Sequence, residues 1–125
     1  MSTGRLPAAL EVSALIRLAE ANGGFGMVLH RGEPDSGTVL IVILDNQGFG
    51  QTIACAFERL PKADGTRGWA LAKAQDAENK AEFESYLARR TAQDPDLWVI
   101  ELTIAERERF ILNLAAGENK TGFMG

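Results

Sequence analysis

The chain has one cysteine, Cys55, and one histidine, His30, in 125 residues. A single cysteine cannot close an internal disulfide, and one thiol with one imidazole cannot assemble the nitrogen and sulfur ligands of a zinc site. Long apolar runs are missing as well. The longest, residues 39–44, falls far short of the roughly 20 residues that a spanning helix needs. Near the N-terminus, Glu11 and Arg17 interrupt the apolar stretch that a secretory signal requires. Positive charge is scarce and scattered: 13 Lys and Arg stand against 17 Asp and Glu, a net charge of −4, and Arg89-Arg90 is the sole adjacent basic pair. Nucleic-acid backbones and anionic membranes are held by clustered cations, so neither is expected as a partner. A lone thiol without an oxidised partner fits a reducing compartment, and the expected location is the cytoplasm.

What is present describes an ordinary folded chain, 46% hydrophobic and 24% charged. Its length suits one core, expected as a single domain over residues 1–116 with a flexible tail at 117–125. Residues 7–22 predict a helix, because Val12, Leu15, Ile16 and Ala19 recur on one face while Glu11, Ser13, Arg17 and Glu20 fall mostly off it. Asn22-Gly23-Gly24 supplies a helix stop. Residues 25–31 read as a strand, 32–37 as a turn, and the apolar, β-branched run 38–44 as a central strand needing cover on both faces. Asp45 to Gly48 reads as a further turn. Ile53, Cys55 and Phe57 alternate with smaller or polar residues on a third strand, 61–68 forms a loop, and 69–73 a short fourth strand. Asp76 is expected to cap a second helix ending near Thr91, with Glu78 near its start and Phe83, Tyr86 and Leu87 on its apolar face. Residues 97–104 make a last strand with Trp98, Ile100, Leu102 and Ile104 on one side, and 105–116 a weak helix. The expected fold class is α+β: helix, antiparallel three- to four-stranded meander, helix, final strand and a weakly helical C-terminal end.

Three stretches stand out together: Arg31-Gly32-Glu33-Pro34-Asp35-Ser36-Gly37-Thr38-Val39-Leu40, Asp64-Gly65-Thr66-Arg67-Gly68-Trp69, and Asp94-Pro95-Asp96-Leu97-Trp98-Val99-Ile100-Glu101. In this order and spacing the chain resembles a family of short alphaproteobacterial proteins, the domain of unknown function fourteen-ninety-one. The resemblance runs from the first helix to Glu101 and is carried most by the Asp-Pro-Asp-Leu-Trp block. It implies a small bacterial cytoplasmic protein and transfers no catalytic residue, because the family has no assigned activity.

Motifs of known chemistry fail on inspection. His30, Asp35 and Ser36 are local in sequence and lack a nucleophile elbow or oxyanion hole, so His30 reads as structural or surface. Cys55, between Ile53 and Phe57 on one strand face, reads as a small buried hydrophobe. Gly48-Phe49-Gly50 precedes a strand and lacks the third glycine of a dinucleotide fingerprint. The aspartate that a phosphatase-like signature would place before Asp64-Gly65-Thr66 is Lys62. Asp94 and Asp96 have the oxygen donors that Mg²⁺ or Mn²⁺ favours, but Asp-Pro-Asp after a helix is ordinary turn chemistry. Trp69 and Trp98 read foremost as core caps. No catalytic residue, metal or cofactor is assigned.

Meander geometry nevertheless gathers charge. Successive loops alternate between the ends of the sheet, so 31–37 and 61–68 share one end, to which the second helix returns 94–96. The candidate binding rim is therefore Arg31, Glu33, Asp35, Asp64, Arg67, Asp94 and Asp96, with Trp69 and Trp98 just below. A non-enzymatic interaction or binding module, pairing with a protein partner or as a homodimer, is the function expected. The alternative is a small enzyme that binds a ligand or divalent metal through the rim. The homodimer follows if both helices pack on one face and leave alternate residues of 39–44, with Ala54 and Ala56, uncovered on the other.

Overall fold

In the computed structural model, residues 6–48, 51–61, 63–65 and 67–104 are described. They form two helices and a five-stranded mixed sheet: α1 (Ala8–Ala21), β1 (Phe25–His30), β2 (Val39–Gly48), β3 (Gln51–Pro61), β4 (Arg67–Ala74), α2 (Lys80–Gln93) and β5 (Trp98–Thr103). The spatial order is β1-β5-β2-β3-β4. The α+β class holds, but the meander contains β2, β3 and β4 without β1. β5 lies between β1 and β2, antiparallel to the first and parallel to the second. The direction of β5 follows from α2. A helix after β4 carries the chain back along the sheet, so β5 starts at the end where β4 and β2 start and must run alongside them.

The two helices cover opposite faces. Val12, Leu15 and Ala19 of α1 pack with Val39, Ile41, Ile43, Cys55, Phe57, Trp98, Ile100 and Leu102. Phe83 of α2, with Tyr86 and Leu87, packs with Leu40, Val42, Ala54, Ala56, Leu97 and Val99. Both parities of β2 are thus covered within one chain, and Ala54 and Ala56 lie under α2. The condition on which a homodimer was expected is not met on either face of β2. β5 is buried on the α1 side throughout and on the α2 side at Val99, while Glu101 and Thr103 on that side are half-buried.

Several boundaries differ from the sequence expectation. Asp45 to Gly48 is strand, not turn: pairing continues through Asp45↔Ile53 and Asn46↔Thr52 to Gly48↔Gln51. β3 and β4 likewise extend toward each other to Pro61↔Arg67, which shortens the loop between them. Asp76 does not cap α2. Its carboxylate accepts the N–H of Glu78 and its carbonyl that of Asn79, making a tight turn that delays the helix to Lys80. Glu78 therefore precedes α2, and Glu82 is the acid in its first turn. Glu11, assigned mostly off the apolar face of α1, is buried, since it stands one turn before Leu15. The α1 stop is as expected, with Asn22 as C-cap and Gly23 at φ +86°, a conformation open chiefly to glycine. The weak helix at 105–116 and the tail at 117–125 lie outside the described residues.

Candidate functional site

The turn between β1 and β2 has to step over the start of β5 to reach its strand, and this brings two of the three sequence stretches into contact. Glu33 N–H donates to the Asp96 carbonyl, Trp98 N–H to the Thr38 carbonyl, and Trp98 Nε1 to the Glu33 carbonyl at 2.8 Å. Gly32 and Gly37 both lie against the Asp96 carbonyl, so closely that a Cβ at either position would collide with it. The glycines of the first stretch are thus needed by the third. The Glu33 carboxylate accepts the N–H groups of Asp35 and Ser36, at 2.8 and 2.7 Å, and the Ser36 hydroxyl. Those backbone donors hold Glu33 below the usual carboxylate range. The carbonyls of Pro34 and Asp35 then receive the N–H groups of Ala9 and Ala8, so the turn also seats the start of α1.

Trp98 is 2% exposed, and its ring lies under the Arg31 guanidinium, 5.4 Å from carbon to centroid. Asp94 caps α2; its carboxylate accepts Asp96 N–H at 3.2 Å and its carbonyl accepts Leu97 N–H. Asp35 and Asp96 remain exposed. The remaining stretch, Asp64 to Trp69, stands at the same end of the sheet, since β3 ends and β4 begins where β2 and β5 begin. It belongs to the β3–β4 hairpin, on the far side of β2 from β5. Arg67 opens β4 opposite Pro61, and Asp64 is exposed in the loop. Trp69 is half-buried against the α1-side core beneath the Arg59 guanidinium, 4.4 Å from its centroid. The rim is therefore one end of the sheet in two parts, a packed knot of 31–37 with 94–98 and a separate hairpin.

His30 and Cys55 both serve the packing of the sheet. His30 Nδ1 donates to the Leu97 carbonyl at 2.7 Å, which pins β1 to the start of β5. Cys55 is 4% exposed, on the same face as Phe57. Two charged clusters escaped the sequence reading. Arg59 of β3 pairs with Glu11 of α1 on one face. On the other, Glu58 accepts two guanidinium hydrogen bonds from Arg90, at 3.0 and 2.7 Å, and one from the Tyr86 hydroxyl. Their signal was present as adjacent opposite charges on a strand, each matched by the opposite charge on an amphipathic helix. Also missed was the open edge. Phe25, Met27, Val28 and Leu29 are 59, 50, 38 and 45% exposed, on a strand whose outer side pairs with no strand among the described residues.

The profile of the family described as "Protein of unknown function (DUF1491)" matches residues 6–112. The crystal structure of a DUF1491 family protein from Caulobacter crescentus is similar, with a TM-score of 0.70 and 29% identity over 85% of this chain and 94% of that one. An NMR structure of a DUF1491 family protein from the same organism gives a TM-score of 0.69 and 29% identity over 87% and 94%. The solution structure of protein Atu0922 from A. tumefaciens gives 0.66 and 25% over 86% and 93%. No curated protein matches the chain.

Proposed function

The chain belongs to the DUF1491 family of proteins of unknown function, and from that premise we propose that it is a non-enzymatic interaction module of the cytoplasm whose contact surface is strand β1. The exposed apolar side chains on an open sheet edge carry this reading. Folded chains ordinarily protect such edges with charge, proline or a covering element, because unpaired N–H and C=O groups beside apolar side chains recruit another strand. The rim offers less. Glu33 and Asp94 use carboxylate oxygens to shape their own turns, and Trp98 is a core residue that fixes the Glu33 carbonyl. Those bonds support a structural role for 31–37 and 94–98 over a ligand- or metal-binding one.

Photo-crosslinking in the native cytoplasm separates the two surfaces. A benzophenone amino acid at Phe25 should join the chain to a polypeptide, whereas the same group at Asp64 or Asp96 should not. Crosslinks from Asp64 or Asp96 alone would move the surface to the rim. Crosslinks from none of the three would count against an interaction module.

A further inference from the structure

The two edges of the sheet are unlike. β4 carries Lys73, which reaches Glu82 of α2 at 3.4 Å, and a charge on a strand blunts an edge. Both edge pairings carry a register shift, at Ala56/Phe57 for β4 and at Val28/His30 for β1. β1 reads Phe-Gly-Met-Val-Leu-His and has no proline and no Lys, Arg, Asp or Glu. Its pairing with β5 sets Phe25 opposite Thr103 and Met27 opposite Glu101. Thr103 and Glu101 share the parity of Val99, which packs on the α2 side. The α2-side core includes no β1 residue, so α2 leaves Phe25 and Met27 uncovered. On the other side Ile16 of α1 lies over Gly26.

An occupant of this edge has to supply an extended backbone and apolar side chains on the α2 side, without a charge set against the strand. Strand β1 itself has all three properties. We infer that two copies of this chain pair antiparallel through β1, joining their five-stranded sheets into one continuous sheet about a two-fold axis. This rests on the interaction reading above and names its partner. In a two-fold antiparallel pair, directly opposed residues have the same parity. Centring the pair on Met27 places it against the partner's Met27 and brings Phe25 toward the partner's Leu29. No like charges meet, because the strand carries none. The same arrangement brings Glu20, exposed in the last turn of α1, toward the end of the partner's β1, where His30 and Arg31 stand. The contact is self-complementary in polarity and charge.

Sedimentation equilibrium of the full chain at tens of micromolar should give twice the chain mass. Met27→Lys should give the single-chain mass with its thermal transition retained, while Leu71→Lys on the opposite edge should leave the dimer intact. Should Met27→Lys not fold, Met27→Cys provides an independent reading. Mild oxidation should link it as a disulfide dimer on a non-reducing gel, while the wild type, whose one thiol is buried, stays unlinked. A single-chain mass for the wild type, or a dimer that Met27→Lys leaves intact, overturns the inference. A monomer whose Met27→Cys thiol is shielded in the native state would assign the edge to the chain's own C-terminal residues. A monomer crosslinked through Phe25 to a different polypeptide would keep the interaction reading and remove the second copy.

Discussion

Glu58 and Arg59 are consecutive on β3 and therefore face opposite sides of the sheet, where each holds one helix by a charge of opposite sign. The Arg90 hydrogen bonds keep the Glu58 carboxyl below its ordinary value of 4.5 against the opposing effect of burial. A folded-state value below the unfolded one means that the pair stabilises the fold above the ordinary carboxylate range, and that this stability is lost as pH falls through the folded value. Urea unfolding should show that acid loss in the wild type and a smaller one in Glu58→Gln. At neutral pH Glu58→Gln should cost about 2 kcal/mol, the scale of hydrogen bonds to a charged group. Tyr86 works at the other end of the range. Burial, with the Glu58 bond second, pushes its hydroxyl from 10.0 up to about 12. The sign is reversed: the neutral hydroxyl is favoured in the fold, so its contribution is full below about pH 10 and lost as pH rises toward 12. Tyr86→Phe should flatten that alkaline decline, and an unchanged decline would show that another group causes it.

Among the elements, those with strong periodicity were legible and their neighbours were not. The spacing of Val12, Leu15 and Ala19 marks α1, and the unbroken run 39–44 marks a strand covered on both faces. Neither pattern says which strand lies beside β2. That choice was made by α2, whose return forces β5 to run parallel to β2 and displaces β1 to the edge. Asp76 was misread as a cap because a short acid before a helix satisfies a turn of its own just as well. The rim was half legible. Chain reversal alone put 31–37 and 94–96 at one end, but that the glycines of one stretch seat the carbonyl of the other belongs to packing, which single positions do not reveal. Gly37 shows the consequence. A methyl group there meets the Asp96 carbonyl and, at 3.1 Å, the Trp98 ring. Gly37→Ala should therefore lower stability by about 1–3 kcal/mol, as overpacking does, with the denaturation midpoint as the measure. A neutral result would mean that the 94–96 turn yields easily and does not lock the 31–37 turn.

At the scale of the whole molecule, protection runs from the centre of the sheet outward. β2 is buried on both faces by α1 on one side and α2 on the other, β5 is buried so at its start, and each has a strand on both edges. Their amides, at 40–43 and 99–102, should exchange with solvent only through global unfolding. β1 differs, because its inner amides bond to β5 while its outer ones face whatever occupies the edge. If the occupant is a second copy, protection of those outer amides depends on the fraction of chains paired and must fall on dilution through the dissociation constant. Hydrogen exchange followed at two concentrations that bracket that constant should show slow exchange of the outward-facing amides of 25–30 only in the concentrated sample, with 40–43 and 99–102 responding far less. Met27→Lys should behave at both concentrations like the dilute wild type. Protection of the outward-facing β1 amides that is equally strong at both concentrations would mean that the edge is covered within one chain, and the two-fold pair would fail on that result alone.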